Sequence, residues 1–211
     1  MAIIFILLAT IGAYLLGSIP SAVWIGKVFF KTDVREHGSG NAGATNTFRV
    51  LGKKAGMPVF IIDVLKAFVA TNLIIFFPYS PESNTYINVQ LLFGMAAVVG
   101  HIYPVLAKFH GGKGVACLLG VTLAIAPVPA LIAFGVFIFI LLLFHYVSLG
   151  SLCAGISFPI IVLTGIIKPY QLSLQIFSIV FALLLIVTHR KNIQRLIQHQ
   201  ESKIYLHKQN Q

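Results

Sequence analysis

Acidic residues are almost missing from this chain: five Asp and Glu stand among 211 residues, and all charged types together make 9%. A soluble domain carries about 25% charged residues, so this supply cannot cover a water-facing surface. Cysteine is as scarce. Cys117 and Cys153 both lie in or beside apolar runs, which argues against a disulfide or a cysteine-rich metal site and for two small buried thiols. No Lys or Arg precedes Lys27. A cleavable signal peptide wants a positive start and a small-residue cleavage site; with neither evident, the first apolar run is expected to stay as a helix. Internal repeats and low-complexity segments are lacking too.

In their place stand apolar residues, 58% of the chain, with a mean hydropathy of +0.93. Apolar runs of membrane-spanning length recur from end to end. They are continuous rather than alternating, which disfavours a β-barrel. The expectation is an all-α polytopic membrane protein, one membrane domain over residues 1–211, with about seven transmembrane helices. They are predicted near 2–30, 57–77, 86–109, 115–126, 130–146, 152–167 and 172–188. Pro58 suits the first turn of the second, and Ser148-Leu149-Gly150-Ser151 reads as the turn that ends the fifth. The fourth is short; as a re-entrant hairpin with its neighbour it would leave five spans.

The net charge is +10, from fifteen Lys and Arg against five acids. In a soluble protein that balance would suggest nucleic acid. In a membrane protein it marks the cytoplasmic side and, beyond that, an anionic substrate or lipid. With seven spans, Lys27, Lys31, Arg35, Arg49, Lys53, Lys54, Lys108, Lys113, Arg190, Lys191, Arg195, Lys203 and Lys208 share one side, thirteen of the fifteen cations. Lys168 alone faces the other, and Lys66 lies within the membrane. The N-terminus is therefore expected outside and the C-terminus in the cytoplasm. Three polar regions, about 31–55, 100–117 and 189–203, then fall on the cytoplasmic side, where one shared site is feasible.

The first region contains His37-Gly38-Ser39-Gly40-Asn41-Ala42-Gly43-Ala44-Thr45-Asn46-Thr47-Phe48-Arg49. Its glycines let backbone N–H groups converge on an anion. Ser39, Asn41, Thr45 and Asn46 add neutral donors, and Arg49 adds a planar fork for phosphate or carboxylate oxygens. An anion cradle and a plain polar turn are both open on these residues alone. Gly38 to Gly43 also matches G-x-G-x-x-G, but a dinucleotide site needs a strand before it and a helix after it. A hydrophobic helix precedes it here, and Asp63, at the spacing of the acidic partner, lies inside another.

The second region holds Gly100-His101-Ile102-Tyr103-Pro104 and Lys108-Phe109-His110-Gly111-Gly112-Lys113-Gly114. A lysine among glycines has the physics of a phosphate loop, although it is no Walker A motif; a flexible basic turn is an equal reading. In the third, His189, Asn192 and Arg195 recur at three-residue steps on one helix flank. A basic stop segment that meets lipid headgroups is the stronger reading of that region by itself. Ile193, Leu196 and Ile197 make an apolar face for a short surface helix. Asp63 and Lys66, three apart within the membrane, read as a mutual structural pair facing the bundle interior. His145 is expected near the interface at the end of the fifth helix.

Three motifs in this order carry a resemblance: S-G-N-x-G-A-x-N-x-x-R from Ser39 to Arg49, G-H-x-x-P with G-G-K-G-V-A from Gly100 to Ala116, and H-R-x-N-I-x-R-L from His189 to Leu196. Together they resemble the bacterial acyl-phosphate-dependent glycerol-3-phosphate acyltransferase family, over nearly the whole chain. Cys117 departs from the pattern, where a threonine is expected. The resemblance implies a seven-helix inner-membrane enzyme with its active site facing the cytoplasm. It moves a fatty acyl group from acyl phosphate to the 1-hydroxyl of glycerol 3-phosphate, giving lysophosphatidic acid and inorganic phosphate. Carried over onto the matching positions, it implies catalytic roles for Ser39, Arg49, Lys113, His189 and Asn192. Gly40, Asn41, Gly43, Asn46, His101, Gly111, Gly112, Gly114 and Arg195 would bind substrate. Its partners would be the two substrates, membrane lipids and an enzyme that forms the acyl phosphate, with no nucleic acid.

Both substrates carry phosphate, so Arg49, Lys113 and Arg195 are the natural clamps. A His-x4-Asp pair is ruled out, because Val28 and Pro58 stand five positions before Asp33 and Asp63. Either His189 is the base, or a phosphate oxygen of the donor takes the hydroxyl proton, the favoured reading. No metal or cofactor is expected, since the motif clusters, the third taken as His189 to Leu196, hold no acidic ligands except Asp33 and Glu36 at the edge of the first. A transporter for organic phosphates is the alternative; it would want cations near the midplane and structural repeats.

Overall fold

The computed structural model describes residues 1–204, so Lys208 of the basic tail lies outside the described residues. All the regular elements among them are helical. The described residues form two compact units, Met1–Pro127 and a second that begins at Val128.

The first unit contains α1 (Ala2–Gly17), α2 (Ser21–Phe30), α3 (Ala44–Leu51), α4 (Lys53–Thr71), α5 (Asn84–Ile102) and α6 (Val115–Ile125). Pro20 separates α1 from α2, and the two still make one apolar run of 29 residues. Close helix approach rests on missing side chains. A Cβ on Gly17 would strike the Ala97 backbone of α5, and one on Gly120 of α6 would strike the Val64 carbonyl of α4. In lipid, where apolar surface alone does not drive helices together, such contacts supply the packing.

The second unit contains α7 (Pro127–Phe144), α8 (Val147–Thr164), α9 (Leu172–Thr188) and α10 (Arg190–Ile197). Phe158 and Phe181 pack at 5.3 Å between α8 and α9, while Leu131, Phe139, Leu142 and Leu183 face outward. Five runs are long and apolar enough to cross a membrane, and α9 with α10, bent by 62°, makes a sixth. At 11 residues, α6 is only about 16 Å long, against a hydrocarbon core of roughly 30 Å.

Four local expectations change. The first polar region is not all loop, because Ala44–Leu51 is helical. Its Ala44 and Leu51 pack onto a core of Ala22, Val34 and Val59. Pro58 lies inside α4 rather than in its first turn: Gly52, at φ 75°, ends α3 and starts α4 at once. The α5 helix stops at Ile102, short of the predicted residue 109. The Ser148–Ser151 stretch lies within α8. There Ser151 Oγ donates to the Val147 carbonyl at 2.8 Å, so the serine is satisfied by its own helix. The break falls instead at His145 and Tyr146, with His145 at φ 61°. The thiols are free, Cys117 buried and Cys153 half-buried.

Candidate functional site

The first loop is shaped by Asn46, near the start of α3. Its amide Nδ2 donates to the carbonyls of Val34 (2.7 Å) and His37 (3.1 Å), and its Oδ1 accepts from Ser39 N (2.8 Å) and Ser39 Oγ (3.1 Å). All the hydrogen-bonding directions of the amide are taken, so Asn46, expected as a substrate donor, here holds the loop. The Ser39 hydroxyl stays exposed. Gly38 and Gly40 take φ of 61° and 71°, a region that side chains resist. Arg49 closes α3, and its Nε is buried without a protein partner.

Asp33 pins the base of this loop. It accepts from Arg35 N (3.0 Å), Arg35 Nε (3.0 Å) and Arg35 Nη2 (2.7 Å), and pairs with Lys27 at 3.1 Å. The Arg35 side chain, above all, holds the Asp33 carboxyl well below the usual carboxylate range, against burial, which pushes it up. Arg35 Nη1 also donates to the Ala107 carbonyl at 3.3 Å, which ties the first loop to the second.

The second loop folds back over the end of α5. Gly112 N donates to the His101 carbonyl at 3.1 Å. A Cβ on Gly111 would strike the carbonyls of His101 and Ile102, and one on Gly112 would strike His101 Nε2. Gly114, at φ 85°, starts α6 and accepts from Leu118 N at 2.7 Å. The two loops meet: a Cβ on Gly43 would stand 3.9 Å from Gly112 Cα. Ala42 and Gly111 line one small cavity with Ser21, Lys66 and His101. Lys113 is half-buried in the loop, and Asn41 is half-buried beside Gly43.

Beneath this cavity lies a charged cluster. Lys66 Nζ meets Asp63 Oδ1 at 2.8 Å, the Ile19 carbonyl at 2.7 Å and His101 Nδ1 at 3.1 Å. Ser21 Oγ donates to Asp63 Oδ1 at 2.7 Å. The expected Asp63–Lys66 pair is formed, with His101 as a third member that the sequence did not reveal. Asp63, His101 and Cys117 bring one ligand atom each within 4.8 Å of one another. The Lys66 ammonium already bridges two of the three, so the set is poorly suited to a further cation.

In the second unit, α9 and α10 bend at His189. His189 and Asn192 are buried and Arg195 half-buried, so the predicted polar flank faces inward. His189 Nδ1 lies 2.9 Å from the Leu185 carbonyl. That carbonyl only accepts, so Nδ1 carries a proton and Nε2 is the acceptor nitrogen of the neutral ring. Asn192 Nδ2 donates to Glu201 Oε1 at 2.8 Å. Glu201 had no signal in the sequence reading, because its tie depends on how the tail folds back.

The helices and loops define an α-helical, multi-pass membrane protein with two glycine-rich loops that meet at its helix ends. The family model for glycerol-3-phosphate acyltransferase matches residues 7–199. The glycerol-3-phosphate acyltransferase of Staphylococcus carnosus (strain TM300) is 44% identical over 201 residues, covering 94% of this chain and 98% of that protein. The enzyme of the same name from Lactococcus lactis subsp. lactis is 41% identical over 206 residues, covering 94% and 93%. The crystal structure of PlsY (YgiH), an integral membrane glycerol 3-phosphate acyltransferase, in its glycerol 3-phosphate form is similar with a TM-score of 0.83 at 42% identity, over 95% of this chain and 96% of that one. Its lysophosphatidic acid form gives 0.80 at 41% identity, over 95% of both. The chain belongs to the glycerol-3-phosphate acyltransferase family and is an acyltransferase.

Proposed function

We propose that the chain transfers a fatty acyl group from acyl phosphate to the 1-hydroxyl of glycerol 3-phosphate, releasing lysophosphatidic acid and inorganic phosphate. The setting is the cytoplasmic face of a bacterial inner membrane, with the N-terminus outside. The observation that carries the reading is the buried, unpartnered Arg49 Nε on α3, the helix that follows the first of two meeting glycine loops. A guanidinium so placed calls for an oxyanion. The relatives support the acceptor, since the solved structures are described as glycerol 3-phosphate and lysophosphatidic acid forms.

Arg49, Lys113 and Arg195 clamp the phosphates, with Ser39, Asn41, Asn192 and the N–H groups of Gly43, Gly111 and Gly114 as neutral donors; Gly40 and Gly112, whose N–H groups are held by the His37 and His101 carbonyls, leave room for the substrate instead. Asn46 acts through the loop it holds. The acceptor oxygen attacks the acyl carbonyl carbon, the carbon–oxygen bond to phosphate breaks, and the hydroxyl proton passes to a phosphate oxygen. A second reading routes that proton to His189 Nε2, which its Nδ1 contact with Leu185 leaves as an acceptor. An acyl-phosphate-forming enzyme would supply the donor.

The test is phosphate release by the purified protein in lipid, given palmitoyl phosphate and glycerol 3-phosphate, with palmitoyl-CoA in parallel. Release that needs both substrates, with lysophosphatidic acid formed and the CoA donor inert, is the expected result. No turnover in folded protein overturns it and points to uptake assays with organic phosphates. Substantial turnover by His189→Gln supports the phosphate as proton acceptor; total loss with intact substrate binding selects His189.

A further inference from the structure

Lys66 lies deep in the first unit, its side chain 4% exposed. A lysine ammonium has three N–H donors and no acceptor. Here it has three neighbours: Asp63 Oδ1, the Ile19 carbonyl and His101 Nδ1. Each takes one donor, so the ammonium is saturated and has none left for a substrate.

The third contact has a chemical consequence. A nitrogen that accepts from an ammonium carries no proton. His101 Nδ1 is therefore bare, and the proton of the neutral ring sits on Nε2. The alternative is close by, because Asp63 Oδ1 lies 3.5 Å from the same Nδ1. Without Lys66, the carboxylate would draw a proton onto Nδ1. Ser21, donating to Asp63 Oδ1 at 2.7 Å, fixes the carboxylate in place. The opposite edge of the ring, Nε2, abuts Gly112, and His101 and Lys66 line the cavity beside Ala42 and Gly111.

We propose that Lys66, anchored by Asp63, is a positioning residue: it fixes His101 as the Nε2–H tautomer and so directs a ring donor onto the second glycine loop. There a phosphate oxygen seated against the loop accepts it. This rests on the proposed function only for the identity of that phosphate. The pair acts from beneath the site, as second partners orient the ligating histidines of metal sites.

The test uses the full chain in lipid with ¹⁵N-labelled histidine, His101 being assigned through its neighbours Gly100 and Ile102. The wild type is expected to show a bare Nδ1 and a protonated Nε2, and Lys66→Met to move the proton to Nδ1. A wild-type ring bare at Nε2, or a tautomer unmoved in Lys66→Met, overturns the proposal. Kinetics give an independent arm through the double variant Asp63→Asn/Lys66→Met, which removes both charges and their burial cost. In folded double variant, KM for glycerol 3-phosphate is expected to rise about tenfold with kcat changed less than about threefold, the pattern of lost binding. A wild-type KM in that variant would mean the pair only stabilises the fold. The spectral arm needs no turnover, so an inactive wild type would strike the acyltransfer reading and leave this one standing on its own result.

Discussion

The imidazole of His101 occupies the place where a side chain on Gly112 would have to stand. The same two residues are joined through the backbone, Gly112 N to the His101 carbonyl, at 3.1 Å. Neither Gly111 nor Gly112 takes a positive φ. What the pair of glycines provides is therefore room for the end of α5, not an unusual backbone. Gly112→Ala should push the ring and the loop apart. A displacement of about 1 Å near reacting groups costs on the order of 100-fold, so acyl transfer by Gly112→Ala should fall about that far while its helix content by circular dichroism stays unchanged.

Arg49→Lys keeps the charge and loses the planar fork. With Nε buried and unpartnered by protein, a lysine has no group to put in its place. A charge-assisted bond contributes about 1.5–3 kcal/mol, so KM for glycerol 3-phosphate should rise at least about tenfold. An unchanged KM would remove Arg49 from the phosphate site.

Asp33 supplies a pH dependence. Its carboxyl is held low chiefly by the Arg35 hydrogen bonds. A group whose folded pKa lies below its unfolded value of about 3.9 adds stability that is present above that value and lost as pH falls below it. The melting temperature in detergent should therefore drop more steeply below about pH 4 in the wild type than in Asp33→Asn. At pH 7 the variant should melt several degrees lower. Equal slopes on acidification would mean that Asp33 contributes nothing to this dependence.

Glu201→Ala should loosen the end of the second unit. It removes one acceptor of Asn192 Nδ2, a contact of 2.8 Å between buried groups. A hydrogen bond to a charged group contributes about 1.5–3 kcal/mol. Thermal stability should fall in Glu201→Ala and recover in part in Glu201→Gln, which still offers an oxygen.

The spans were legible because apolar runs of about 20 residues have few other uses, and α9 begins and ends where the sequence placed it. The polar regions were legible as chemistry and less so as structure. Glycine content suggested a loop through residues 37–49, yet Ala44, Thr47, Phe48 and Leu51 follow helical spacing, and Ala44 and Leu51 face the core in α3. The Asp63–Lys66 pair could be read from its three-residue spacing on one helix. His101 could not, because its approach depends on how α4 and α5 pack. The Arg35 bond to Ala107, 72 residues away, has no local trace either.

The spacing of Asp63 and Lys66 also bears on how the protein enters the bilayer. A lone charge on a helix being handed into lipid costs about 2.5–3.5 kcal/mol. Lys53 and Lys54 lie at the start of α4; deeper in the helix, Asp63 and Lys66, 2.8 Å apart, neutralise each other without help from another span. The paired stretch is able to enter lipid by itself, and the remaining ammonium hydrogens meet Ile19, made before it, and His101, made after it. The order of synthesis thus places no demand on when its neighbours arrive.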